Sequence, residues 1–280
     1  MLRFPATSFL LLLLVLLLAF VSSTTKSQSV VSNSGTSNQS AFWNSSSISS
    51  LSPIQEEANN PPSFSNYILA IQFSRSLCNN PPFKTCDPKW NVDLPKKFTI
   101  HGLWPTDFAS GRKPPFPGNR FSFIELIKPP KGPKLLQNLY QEWIDAYFVF
   151  KSKGPTKDVQ RKQAAEDFWE YEWKEHGDLS GLSVQDFFST AFTLCSNLGD
   201  VYGNFKAQGL IEVDGNIDVA KASQMLTGVL KVKPFLKCVF DKSNKEHLFE
   251  IEIKYDRATL TPVPHPLYSN CSGIKVGLGS

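Results

Sequence analysis

Near its C-terminal end the chain alternates Phe249, Ile251, Ile253 and Tyr255 with Glu250, Glu252 and Lys254. A period of two puts apolar groups on one face of a strand and polar groups on the other, so a half-buried antiparallel strand is predicted over 248–255. Residues 234–240 form the other arm of a hairpin turning around Lys242-Ser-Asn-Lys. Two further strand-length runs lie far upstream: Tyr67-Ile-Leu-Ala-Ile-Gln-Phe73, and 97–104 with Phe98 and Ile100 on one face and Thr99 and His101 on the other. The intervening chain reads as helix. Apolar groups recur at helical spacing over 135–150, a helix follows Gly154-Pro155 and stops at Gly177, and Ser183-Val-Gln-Asp186 opens another in a capping pattern. Residues 217–229 suggest one more. Strands at both ends with helices between them give an α+β class, an antiparallel β-sheet core with several helices packed on it.

The first 63 residues stand apart from this pattern. Arg3, a leucine-rich run over 9–20 and Val21-Ser22-Ser23 read as a signal peptide over 1–23, with a signal anchor as the alternative. Residues 24–63 are rich in Ser, Thr, Asn and Gln and bury too little apolar surface to offset their ordering entropy, so disorder is expected there. Glycosylation sequons begin at Asn38, Asn44 and Asn270. A secreted, extracellular chain with no stable membrane association follows, and a monomer is expected. The net charge of +4 with a pI near 8.7 is compatible with a polyanionic partner without marking a dedicated basic patch. Five cysteines, Cys78, Cys86, Cys195, Cys238 and Cys271, leave at least one thiol unpaired in an oxidising compartment. Cys78 and Cys86 are the favoured pair. No zinc-site spacing occurs, and neither a metal nor a cofactor is expected.

Chemistry concentrates in two blocks. In Phe98-Thr-Ile-His101-Gly-Leu-Trp104-Pro105 a histidine sits in an apolar segment beside a glycine and a tryptophan. In Phe168-Trp169-Glu170-Tyr171-Glu172-Trp173-Lys174-Glu175-His176-Gly177 a second histidine follows carboxylates and aromatics. On an α-helix Glu172 and His176 share a face. Two imidazoles can divide general base and general acid between them, and neighbouring aromatics offer stacking surfaces for single-stranded nucleic acid, which together point to RNA cleavage. Trp169 and Trp173 read as packing, and His247 and His265 as structural or exposed.

These blocks resemble the active-site segments of the ribonuclease T2 family, most of all those of plant S-ribonucleases and S-like ribonucleases. The similarity spans 64–280. It implies the T2-type fold and an endoribonuclease acting on single-stranded RNA without a metal, linked to self-incompatibility, defence or RNA turnover. One histidine takes the proton from the ribose 2′-hydroxyl, and the other protonates the departing 5′-oxygen to leave a 2′,3′-cyclic phosphate. By this resemblance the catalytic residues are His101, His176, taken as the base, and the assisting Glu172. Trp104 is the base-stacking platform, and Tyr171 stands where the family often places a phosphate-holding histidine.

Two departures remain. Glu175 replaces a lysine that supports charge on phosphorus, and a catalytically weakened or silent relative acting in recognition or storage is the alternative function. The resemblance also expects a cysteine at Leu179 bonded to the loop after the first block, and both halves are missing. Lys254 and Val263 stand where partners for Cys238 and Cys271 are expected, so both cysteines are expected to have lost their partners. Cys195 matches no family cysteine.

Overall fold

The computed structural model describes residues 63–79, 93–115, 118–151, 153–241, 243–267, 269–273 and 275–278. The leader, the Ser-rich segment and the Cys78–Cys86 pairing lie outside the described residues or side chains. The elements follow in order: β1 Phe64–Phe73, α1 Ser74–Asn79, β2 Phe98–Phe108, α2 Phe123–Leu126, α3 Gly132–Glu142, α4 Lys157–Glu172, a π-helical turn Trp173–Gly177, a 3₁₀ turn Asp178–Ser180, α5 Val184–Asn197, α6 Val201–Ala207, β3 Asn216–Asp218, α7 Val219–Leu230, β4 Phe235–Phe240, β5 Glu246–Asp256 and β6 Lys275–Gly277. Among the described residues no helix is long and apolar enough to cross a membrane.

The sheet runs β2-β1-β5-β6-β3, with β4 on the other side of β5. All pairings are antiparallel except β5 with β6. Helix α5 closes one face. Ser183 Oγ accepts the Asp186 amide at 3.1 Å, as the capping pattern predicts, and Phe187, Phe188 and Ala191 are fully buried in the main core with Ile71, Ile100 and Leu103. The α+β class is thus observed.

Two irregularities in the strands position the site. Ala70 pairs with Gly102 and Ile71 with Ile100, so His101 is the extra residue of a bulge in β2. A bulge bends its strand and re-aims a side chain. The freed His101 carbonyl accepts the indole N–H of fully buried Trp143 at 2.9 Å. In β5 the partners step from Lys237↔Glu250 to Cys238↔Leu248, which passes over Phe249. Phe249 packs with Leu77 and Ala146 rather than with Ile251 and Ile253, so the alternation read from the sequence breaks there. The half-buried strand is corrected as well: Glu250 is 0% and Glu252 7% exposed, because β1 and β4 flank β5 at this level and its polar face turns into the site.

The helix predicted over 135–150 ends at Glu142, where Trp143 leaves helical geometry to bury its indole. The segment 217–229 is split, its first residues pairing with β6 as β3 before Asp218 caps α7. The cysteine expectation is overturned. Cys238 and Cys271 bond each other across 33 residues, because the tail returns beside β4 and the Asn270 side chain grips the Cys238 backbone N–H at 2.6 Å and its carbonyl at 3.2 Å. Lys254 and Val263 are neighbours, with the Val263 N–H donating to the Lys254 carbonyl at 2.9 Å. Among the described cysteine side chains Cys195 is the free thiol, and burial, with Glu142 nearby, pushes it up to about 12.

Candidate active site

The bulge in β2 turns the His101 imidazole toward β5, where Nδ1 meets the buried carboxylate of Glu250. Lys237 on β4 donates to the other Glu250 oxygen at 2.9 Å and to Glu252 at 3.4 Å. Phe168 stacks against the His101 ring, with 6.1 Å between centroids. Burial opposes a charged imidazole. The hydrogen bond and the negative charge of Glu250, with Glu172 behind them, outweigh it and hold the His101 pKa above its ordinary value.

The second histidine block reaches β2 through the π-helical turn. Helix α4 ends at Glu172, and the Asp178 amide reaches back five residues to the Trp173 carbonyl. This wider turn replaces the α-helical face on which the sequence placed Glu172 and His176 together. Such turns recur at functional sites. Trp173 and Trp169 pack in the core as read, their indoles donating to the Asn119 and Trp143 carbonyls.

Glu172 is 1% exposed, and its Oε2 accepts the Trp104 indole N–H at 3.1 Å. Burial pushes its pKa up to about 7 against the pull of the His101 charge and this hydrogen bond. The approach depends on Gly102, where a Cβ would lie 2.2 Å from both Glu172 Oε2 and Trp104 Nε1. The Trp104 ring touches both imidazoles, 5.2 Å from His101 and 5.3 Å from His176 between centroids. It is half-buried and already in contact with both imidazoles.

His176 has no ring-nitrogen hydrogen bond among the described residues. Burial pushes its pKa down to about 3, helped by the positive charges of Lys113 and His101. The two imidazoles are therefore displaced in opposite directions, His101 toward the cation and His176 toward the neutral base.

Tyr171 is set apart from this cluster. It is 56% exposed and lines a groove of about 970 Å³ with His101, Tyr147, Phe148, Lys151 and Phe168. Lys174 turns away to pair with Glu170 at 2.7 Å, while Glu175 pairs with Lys113 at 3.0 Å. His247 and His265 are structural: His247 bonds Asp241 at 2.9 Å and His265 stacks on Phe235 at 5.2 Å.

The sequence brought His101, Trp104, Glu172 and His176 to attention, and the fold gathers all four. It missed Glu250, Lys237 and Lys113. Glu250 lies 149 residues from His101, and its alternation with apolar neighbours made it look solvated. The one available signal was two carboxylates, Glu250 and Glu252, on a strand whose hairpin partner carries Lys237.

The sequence matches the Ribonuclease T2 family over residues 64–271. It is 30% identical over 179 residues to Ribonuclease S-2 of Antirrhinum hispanicum, covering 62% of this chain and 67% of that protein. Its fold is similar to the self-incompatibility-associated SF11 ribonuclease of Nicotiana alata, with a TM-score of 0.60 at 20% identity over 78% of this chain and 100% of that one. Ribonuclease MC1 from the seeds of bitter gourd gives a TM-score of 0.58 at 20% identity over 76% of this chain and 100% of the other. The chain belongs to the Ribonuclease T2 family, and its activity class is that of a ribonuclease.

Proposed function

We propose that the chain is a secreted endoribonuclease that cleaves single-stranded RNA by internal transphosphorylation, with His176 as general base and His101 as general acid. The observation that carries this reading is geometric: one Trp104 ring lies against both imidazoles, and of the two His101 is bonded to the buried Glu250 carboxylate while His176 has no such partner among the described residues. The opposite displacement of their pKa values agrees with that division into acid and base. Neutral His176 takes the proton from the ribose 2′-hydroxyl, and that oxygen attacks the adjacent phosphorus. Protonated His101 gives its proton to the departing 5′-oxygen, and the phosphorus is left in a 2′,3′-cyclic diester. Glu250 keeps His101 charged until the leaving oxygen takes the proton.

Glu172 fixes Trp104 by accepting its indole N–H, and in its ionised form it adds to the negative charge that favours the His101 cation. We read Trp104 as the spacer that sets both imidazoles rather than as an open stacking platform, since its ring already contacts each of them. The groove beside His101 offers Tyr147, Phe148 and Tyr171 as the surface for a base. The step needs no electron transfer. DNA, which lacks the 2′-hydroxyl, would not be cut.

The test is digestion of single-stranded RNA with metal chelated across pH 4 to 8, set beside His101→Ala and His176→Ala. Activity lost in both variants, with a 2′,3′-cyclic phosphate product and an intact 2′-deoxy strand, is the expected result. A folded wild-type chain without activity would overturn the enzyme reading in favour of a recognition or storage protein, which the carboxylate at Glu175 favours.

A further inference from the structure

A phosphodiester arriving between His101 and His176 is an anion that gains charge in the transition state, yet the nearby side chains include two carboxylates, Glu172 and Glu175. The cations supplied by the main elements are already committed. Lys237 is held by Glu250 and Glu252, and Lys174 by Glu170 on the outer side of α4. The loop after β2 contributes another. Lys113 brings its Nζ to 3.0 Å from Glu175 Oε2, one residue from His176, and both side chains are 46% exposed.

This loop is fixed at both roots. At its start Asp107 accepts the Lys254 ammonium at 2.6 Å and the Asn66 amide at 2.8 Å. At its end Asp178, directly after the His176-Gly177 step, accepts the Gly118 and Asn119 amides at 3.0 and 2.9 Å and also the Asn119 side chain. The Trp173 indole donates to the Asn119 carbonyl at 3.1 Å. Four of these hydrogen bonds, three to Asp178 and one from Trp173, come from the residues flanking His176, so the loop and the histidine are positioned together.

We propose that Lys113 is the phosphate-binding cation of this site and that Glu175 is the positioning residue that holds it there. An ammonium has three donors, and the one spent on Glu175 leaves others for a non-bridging phosphate oxygen. Glu175 is then neutralised rather than repulsive, and its carboxylate fixes a long, flexible side chain. The same ammonium disfavours protonation of His176 and keeps the base ready. The inference rests on the ribonuclease reading for its catalytic half. Its binding half stands alone.

The experiment joins two readouts on the full folded chain. Inorganic phosphate is titrated while the His176 ring resonance is followed by NMR, and kcat/KM is measured on a dinucleoside monophosphate. Lys113→Met is expected to weaken phosphate binding about tenfold and to lower kcat/KM by about 10- to 100-fold, below the loss typical of a buried transition-state donor because the group is half exposed. Lys113→Arg should recover most of both. Glu175→Gln should lower kcat severalfold with little change in KM. Glu175→Lys should help strongly only in the Lys113→Met background, where it restores the missing cation.

Lys113→Met matching wild type in both readouts would overturn the proposal. So would Glu175→Lys giving the same gain in both backgrounds, since Glu175 would then be merely repulsive. A wild-type chain that binds phosphate through Lys113 without cutting RNA would sink the ribonuclease reading and leave the phosphate site standing. Failure of wild type to bind phosphate or cut RNA would remove both.

Discussion

Replacing Glu250 with glutamine keeps the side-chain shape and removes one buried negative charge. The carboxylate is fully buried and bridges His101 Nδ1 and Lys237, the latter at 2.9 Å. An opposite charge in hydrogen-bond contact moves a pKa by about 1–3 units, and each unit corresponds to about 1.4 kcal/mol. A fall of about 2 units for His101 therefore means about 3 kcal/mol of lost preference for the imidazolium. Burial, no longer opposed, then drives the ring toward neutrality. The falling limb of kcat/KM against pH should move to lower pH by about that amount, so the loss is about 10- to 100-fold at pH 6.5 and much smaller at pH 4.5.

Stability carries a second signature. His101 has a raised pKa in the fold, so its contribution is fully present below the ordinary imidazole pKa and vanishes as pH rises through the raised value. Glu250→Gln should therefore destabilise more at pH 5 than at pH 8, by about 3 kcal/mol at the lower pH, the cost of breaking a buried pair. The assay is a pH–rate series on single-stranded RNA with an NMR titration of the His101 ring. An unmoved falling limb, with His101 titrating as in wild type, would refute the reasoning that Glu250 sets the acid.

The remaining expectations concern the rest of the site. In wild type burial and the nearby positive charges hold His176 down to about 3, so the rising limb of kcat/KM should lie near pH 3 to 4 and the plateau should continue past pH 6.5; a rising limb near 6.5 in the pH–rate curve would refute the depression of His176, and a limb unchanged in His176→Ala would remove it as the base. Gly102→Ala puts a Cβ 2.2 Å from Glu172 Oε2 and Trp104 Nε1 and should cost about 1–3 kcal/mol of stability together with much of the activity, read by thermal melting and RNA digestion. Asp178→Ala strips the acceptor from three donors at the loop root and should cost about 2–3 kcal/mol, lowering Tm by roughly 4–12 °C and kcat/KM through release of Lys113.

The elements were legible wherever local periodicity or capping dictated them. The run from Tyr67 to Phe73, the hairpin of β4 and β5, and the cap at Ser183 all appear where the sequence put them. The bulges at His101 and Phe249 were not legible, because a bulge is a property of two strands in register and neither strand carries it alone. The buried face of β5 was hidden for the same reason, since its burial comes from β1 and β4. The missing cysteine at Leu179 was legible as a loss, but its replacement was not. Asp178, one residue earlier, ties the loop by hydrogen bonds at the place where the family resemblance put a covalent link. Cys238 and Cys271 were misassigned because pairing depends on where the tail returns.

The polar face of β5 also explains why a core strand carries charge at all. Glu250, Glu252 and Lys254 each have a partner: His101 and Lys237 for the first, Lys237 for the second, and Asp107 for the third. Buried charge is costly, and apolar residues in these places would pack as well or better. The two carboxylates share Lys237 and cannot both be charged comfortably. Burial and the Glu250 charge push the Glu252 pKa up, while His101 and Lys237 overcome burial and hold that of Glu250 down. The charge therefore stays on the carboxylate that touches His101, and Glu252 yields its own. Glu252→Gln should then leave the falling limb almost in place above pH 6.5, whereas the corresponding change at Glu250 moves it to lower pH. Equal shifts from the two variants would mean that the pair acts through its summed charge rather than through the contact with His101.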